Sequence, residues 1–303
     1  PETTNRAPRL PVARVGGGPS VLHVQVLLSR AGFSPGVLDG RWGKNTEKAV
    51  YWFQHRHRMA PTGRVDGATY AALVRVAGGA PPLQQHRLAA HDVEGPFVTL
   101  PEDVYDRAEL SCLCYESLGE KLAERFHTTE EVLRQLNPGV DLDSLAEGAT
   151  LWAPAVPDAR AMRDAPKTVA HIVISKNGFY TQALDAAGNI VLHFPSTLGS
   201  GYDPTPDGDA RVAAIAYDPH FPYQPTLFHE VPDEEPEALL NPGPNSPVGV
   251  VWIALNLRHY GIHGTSEPET IGYTTSHGCV RLTNWDALRL AAHTAPGTPV
   301  EFR

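Results

Sequence analysis

The stretch HIVISKNGFYTQALDAAGNIVLHFPSTLGSG, residues 171–201, decides how the C-terminal part of the chain is built. Its β-branched residues alternate with polar ones, and Asn177-Gly178 and Gly188-Asn189 supply turn signals, the pattern of an antiparallel meander. From residue 167 to residue 303 the chain therefore reads as mainly β. N-terminal to it the periodicity is helical. Leu22, Val26 and Leu27 recur at helical spacing, Asp39-Gly40 makes a turn, Ala49, Val50 and Phe53 form a second apolar stripe, and Tyr70 and Leu73 sit on a third short helix.

The chain is thus expected to be a multidomain α+β protein. Residues 1–20, without periodicity and ending in Gly-Gly-Gly-Pro, read as a linker. A helical domain follows over 21–77, then a small α+β module with its preceding connector over 84–157, then the mainly β domain over 167–303. In the middle module Leu118, Leu122 and Phe126 share one helix face, Thr128 with Glu131 reads as a capping box, and Val132, Leu133 and Leu136 run to the Asn137-Pro138-Gly139 stop. Between Asp203 and Pro247 lies a proline-rich stretch that reads as irregular and lid-like.

Composition bounds the function. With 303 residues, 42% hydrophobic and 19% charged, the chain is globular and long enough for two or three cores. A formal charge of -9 argues against a phosphate-binding surface, because counterion release needs clustered Lys and Arg, so nucleic acid is not expected as a partner. No apolar run is long enough to span a bilayer, and a start at Pro1 implies that any export signal has been removed or left out. Of three cysteines, Cys112 and Cys114 stand too close in sequence for an easy bridge and read as small core hydrophobes, and Cys279 has no mate, so a disulfide is not expected.

Chemistry concentrates in YGIHGTSEPETIGYTTSHGCVRLTNWDAL, residues 260–288. A cysteine attacks only as thiolate, so it needs a base or a lowered pKa, and an imidazole supplies either. His263 and His277 both lie near Cys279, and each precedes a glycine that lets backbone approach closely. Glycine beside the nucleophile also lets consecutive amide N–H groups converge on an oxyanion. A zinc site of His259, His263 and His277 is the rival reading, weakened by nearby Pro and Gly and by the lack of an H-E-x-x-H glutamate.

Taken together, His263 and Ser276-His277-Gly278-Cys279-Val280-Arg281 closely resemble the signature of the L,D-transpeptidase (YkuD-type) catalytic domain. Thr205 to Gly208 and the block from Pro242 to Ile253 match as well. Asp209-Ala210-Arg211 departs from the pattern where an aromatic is usual. The resemblance implies Cys279 as nucleophile, His263 as base and the Gly264 carbonyl as its orienter. It further implies an oxyanion hole from the amides of His277, Gly278 and Cys279, substrate contacts from Ser276, Arg281, Trp252 and Tyr260, and no metal or other cofactor. Residues 22–73 resemble the helical peptidoglycan-binding domain through G-F-x-x-G, D-G-x-x-G-x-x-T, A-V-x-x-F-Q and T-G-x-V-D. YESLGEKLAERFHTTEEVLRQLNPG resembles a divergent LysM module without its G-D-T-L entrance. The implied partners are peptidoglycan stem peptides and glycan, with carbapenem β-lactams as inhibitors. The implied function is 3-3 cross-linking of tetrapeptide stems in the periplasm or cell wall. Carboxypeptidase action, protein anchoring and a wall-binding protein without catalysis are the alternatives.

Overall fold

The computed structural model describes residues 1–13, 16–228 and 230–303. Arg14 and Val15 of the expected linker and His229 of the proline-rich stretch lie outside the described residues. The chain divides into two compact units. The first holds Pro1–Glu94, Leu118–Asp158 and Asn189–Pro195, and the second holds Gly95–Ser117, Ala159–Gly188 and Ser196–Arg303.

In the first unit, α1 (Pro19–Arg30), α2 (Lys44–Arg56) and α3 (Gly67–Val76) enclose a core of Val24, Leu27, Leu28, Phe33, Val50, Phe53 and Leu73. Helix α1 starts with Pro19 in its first turn, where a missing N–H costs nothing. Two buried glutamines fix the loops. The side-chain amide of Gln25 donates to Asp39 Oδ1 at 2.9 Å and to the Arg41 carbonyl at 3.0 Å, and its oxygen accepts from Gly40 N at 2.8 Å. Gln54 does the same for the second loop, donating to the Arg64 carbonyl at 2.8 Å and Thr69 Oγ1 at 3.0 Å while accepting from Gly63 N at 2.9 Å. The D-G and T-G turns are thus tied to helix side chains. At the N-terminus, Glu2–Asn5 form a helical turn whose Thr4 is buried and whose carbonyl accepts from His23 Nδ1 at 2.7 Å.

The same unit contains an antiparallel pair, β1 (Leu83–Arg87) with β2 (Thr150–Pro154), and two helices between them, α4 (Leu118–Arg125) and α5 (Glu130–Leu136). Leu118, Leu122, Phe126, Leu133 and Leu151 form its core. The cap of α5 is Thr129, whose side chain accepts from Val132 N, and not Thr128. Thr128 Oγ1 donates instead to the Leu38 carbonyl at 2.6 Å. Two adjacent threonines leave the cap ambiguous in sequence.

The second unit is mainly β. Its strands are β3 (His171–Ser175), β4 (Tyr180–Leu184), β5 (Gly208–Tyr217), β6 (Val251–Leu255), β7 (Gly261–His263), β8 (Val280–Arg281) and β9 (Pro299–Phe302). They lie in the order β8-β7-β6-β5-β9-β3-β4. Helix α6 (Asn284–His293), capped by Thr283, packs against β6 and β7. The proline-rich stretch corrects the sequence reading. It holds the ten-residue β5, which pairs with both β6 and β9, and a small hairpin of Phe221–Tyr223 with Ala238–Leu240. Only Ala210 and Val212 of β5 are buried, so its alternation rests on alanines and carries little hydrophobic contrast.

Cys112 and Cys114 correct a second expectation: they are bridged. The chain bends at Leu113 and brings their Cα atoms to 5.2 Å, inside the normal range for a disulfide and short of the roughly 6.6–7.2 Å that two extended residues span. Leu113 N donates to the Pro242 carbonyl at 2.9 Å and its carbonyl accepts from Asn245 N at 3.0 Å.

Gln54 is 1% exposed and satisfies several groups at once. Replacement by leucine strands the Gly63 N–H and the Arg64 carbonyl, so Gln54→Leu is expected to lower the stability of the helical unit by about 1–3 kcal/mol. Urea unfolding followed by far-UV circular dichroism checks this, and an unchanged midpoint contradicts it.

Candidate active site

Strand register builds the site. Trp252 of β6 stands opposite Ala216 of β5 and opposite His263 of β7, and His263 stands opposite Arg281 of β8. Residues directly opposite share a face of the sheet, so these four form a row across adjacent strands, and all four line one cavity of about 1090 Å³. Cys279 lies two residues before Arg281, on the same side by alternation, and lines the same cavity with Ser276, His277 and Tyr260. Residues of opposite parity, Ile253, Ile262 and Val280, are buried at 0–1% exposure. The sheet thus sends apolar residues one way and the reactive ones the other.

His263 is fixed on several sides. Its Nδ1 lies 2.7 Å from the Gly264 carbonyl, and Trp252 stacks on the ring with centroids 5.3 Å apart. A carbonyl only accepts, so Nδ1 carries the proton and Nε2 keeps its lone pair. Gly264 is needed here because Asn284 reaches in behind it. A Cβ on Gly264 would lie 2.1 Å from Asn284 Oδ1, and one on Gly249 would lie 2.0 Å from the same atom. That oxygen accepts from Val250 N at 3.2 Å, joining the start of α6 to the start of β6.

The loop before β8 is held as firmly. Ser276 Oγ donates to the Cys279 carbonyl at 2.6 Å, and Thr205 Oγ1 donates to the Gly278 carbonyl at 3.1 Å while accepting from Gly199 N at 2.7 Å. Gly278 has φ +100, and a Cβ there would lie 2.8 Å from the Tyr260 ring, so both the torsion and the aromatic wall call for glycine. Among the described residues the amide N–H groups of Gly278 and Cys279 make no intramolecular hydrogen bond. The Cys279 thiol donates to the His259 carbonyl at 3.4 Å. His259 holds φ +65 in the turn between β6 and β7.

Burial sets the electrostatics. It depresses the His263 pKa to about 3, helped by the Arg281 guanidinium and opposed by the bond to Gly264. Burial also pushes the Cys279 thiol up, against the Gly261 backbone bond and Arg281. Both shifts act in one direction, favouring a thiol and a neutral imidazole over a thiolate–imidazolium pair.

The His277 side chain goes elsewhere. Its Nε2 pairs with Glu230 Oε1 at 2.8 Å, and its ring meets Phe228 edge to face at 4.9 Å. Both contacts come from the stretch between β5 and β6, which supplies a wall of the cavity. Glu230, Phe228, Thr205, Asn284 and the His259 carbonyl were not singled out by sequence as site groups, since each acts through a contact distant in the chain. Among the described residues no three His, Cys, Asp or Glu side chains are placed to hold a metal ion, so His259, His263 and His277 do not form the rival zinc site.

Comparison with known proteins agrees with this geometry. Residues 169–302 match the L,D-transpeptidase catalytic domain, and residues 17–73 match the peptidoglycan-binding domain. The chain is 30% identical to the L,D-transpeptidase YkuD of Bacillus licheniformis over 60% of its length and 92% of that protein. It is 28% identical to the Bacillus subtilis YkuD over 59% of its length and 89% of that protein. A solved L,D-transpeptidase from Xylanimonas cellulosilytica aligns over 98% of this chain and 99% of its own at 18% identity, with a TM-score of 0.41. With a relative matched over nearly its whole length and the signature residues gathered on one face of one sheet, the chain belongs to the L,D-transpeptidase family of enzymes.

Proposed function

We propose that the chain forms 3-3 cross-links between peptidoglycan tetrapeptide stems through a thioacyl intermediate on Cys279. The observation that carries this reading is the shared face of Cys279 and His263, with the imidazole tautomer set by Gly264 and two unpaired amides beside the sulfur.

In this mechanism Cys279 Sγ attacks the carbonyl that joins the diamino acid at stem position three to the D-alanine at position four. Its proton passes to His263 Nε2. The oxyanion sits against the Gly278 and Cys279 amides, an electrostatic term worth about 3–4 kcal/mol for one donor in acyl transfer. Collapse expels D-alanine, whose amine takes the proton from His263, and leaves a thioester. The side-chain amine of a second stem then attacks the thioester. His263 accepts the amine proton and returns it to sulfur, leaving an amide cross-link and a free thiol. Arg281, two residues beyond Cys279 on the same face, is suited to the carboxylate of the leaving D-alanine. Trp252 and Tyr260 wall the site, and Ser276 holds its loop. Water in place of the second amine gives an L,D-carboxypeptidase, and a protein amine gives wall anchoring.

The α1–α3 domain is proposed to hold the enzyme on peptidoglycan, and the β1-α4-α5-β2 module to add glycan contact as a divergent LysM unit. Such a substrate places the protein outside the cytoplasm. No helix among the described residues is long and apolar enough to cross a membrane.

Cys279→Ala is expected to lower cross-linking of disaccharide tetrapeptides by at least about 1000-fold. A carbapenem is expected to add its mass to the native protein and not to this variant. An unmodified native mass after long incubation, or cross-linked product from the variant, contradicts the mechanism.

Because burial raises the thiol pKa, alkylation of Cys279 by iodoacetamide in the free enzyme is expected to rise with pH and to remain below half-maximal at pH 9. A plateau reached by pH 7 would instead reveal a resting thiolate–imidazolium pair.

A further inference from the structure

The cavity holds a cation that the mechanism does not use. Arg258 lies in the tight turn between β6 and β7, where Leu255 N donates to the Tyr260 carbonyl at 3.2 Å and Tyr260 N to the Leu257 carbonyl at 3.2 Å. Its neighbour His259 holds φ +65, and the His259 carbonyl is the group that accepts from the Cys279 thiol. The turn therefore has a defined shape and places Arg258 one residue from the partner of the sulfur. Arg258 is exposed and lines the cavity. Among the described residues it has no hydrogen-bond or ion-pair partner.

Two acids at or near the cavity are engaged. Asp218 lies 3.5 Å from Arg160, and Glu230 is paired with His277. Arg281 is the second cation, and its buried Nε also has no hydrogen-bond partner. In a chain of net charge -9 the cavity wall carries two guanidinium groups beside the acids Asp203 and Asp218: Arg281 near the sulfur, and Arg258 at the rim with no partner among the described residues. Guanidinium groups so placed recognise carboxylates through two parallel hydrogen bonds.

A carboxylate on the leaving residue lies within about one residue length, roughly 3.5 Å, of the attacked carbonyl, which assigns it to Arg281. A second carboxylate must stand farther out. Resting on the acyl-transfer reading above, we infer that Arg258 is a specificity-determining residue for a donor stem whose attacked diamino acid carries a carboxylate at the end of its side chain. A stem with a side chain ending in an amine alone, or with that carboxylate amidated, lacks this contact.

The test uses the full chain and two synthetic tetrapeptide stems that differ only in a free or an amidated carboxylate at that position. The native enzyme is expected to favour the free acid by about 10-fold or more in kcat/KM for D-alanine release. Arg258→Gln is expected to bring the ratio to within about 2-fold of unity, and Arg258→Lys to restore part of it. Circular dichroism and carbapenem adduct formation on Cys279 in each variant report that the fold and the thiol are intact. A native enzyme without preference, or a preference that survives Arg258→Gln, overturns the role of Arg258 and leaves the acyl-transfer reading standing. Release of D-alanine from neither stem, together with an absent adduct, overturns the acyl-transfer reading and this inference with it.

Discussion

The hydrogen bond from His263 Nδ1 to the Gly264 carbonyl is the constraint on which the site depends. A neutral imidazole has one donor and one acceptor nitrogen, so a fixed acceptor at Nδ1 assigns the other nitrogen to the cavity. No side-chain carboxylate is needed for this. A backbone carbonyl orients the ring without adding a charge that would stabilise imidazolium, and burial then keeps the ring neutral. The stack of Trp252 removes the remaining freedom of the ring. The geometry in turn requires that residue 264 have no side chain, since Asn284 occupies the space a Cβ would take. One asparagine at the start of α6 thus links helix, strand and imidazole.

What the sequence made legible, and what it did not, follows from the range of each interaction. The stripes of the helical unit and the alternation of residues 171–184 are local, and they read directly. Cys279, Gly278, Arg281 and Ser276 stand within a few residues of one another, so their grouping is visible in the chain. The row of Ala216, Trp252, His263 and Arg281 is a matter of register between strands distant in sequence, and no local pattern specifies it. Thr205, Asn284 and Glu230 reach the site the same way. Strand β5 was hidden for a different reason, because small alanines flanked by prolines give almost no contrast between faces. The Cys112–Cys114 bridge is not legible because spacing alone says nothing of how the chain bends at the intervening residue.

The stretch between β5 and β6 is less free than its prolines imply. Tyr105 OH donates to Glu235 Oε2 at 3.1 Å and to the Pro236 carbonyl at 3.0 Å, which holds the outer part. Nearer β6, the Leu113 segment pairs with Pro242 and Asn245, and a Cβ on Gly243 would lie 2.0 Å from the Leu113 carbonyl. The disulfide braces that segment on both sides of Leu113. Phe228 and Glu230 meet His277 at the cavity itself.

These attachments bear on how a neutral thiol can serve as a nucleophile. Burial disfavours charge separation between sulfur and imidazole in the free enzyme, so the proposed mechanism couples attack to substrate binding. In the proposed mechanism an entering stem would bring a carboxylate toward Arg281, and with that guanidinium neutralised its field would no longer oppose a proton on His263. On the same proposal the developing oxyanion would meet the Gly278 and Cys279 amides as the imidazole gains its charge, so the positive ring would form opposite negative charge a short distance away. A permanently ionised pair would forgo this gain, because its stabilisation would already be present in the ground state. Under the proposed mechanism, a walled, anchored cavity that favours the neutral forms of both partners before substrate arrives would direct the electrostatic contribution to the transition state.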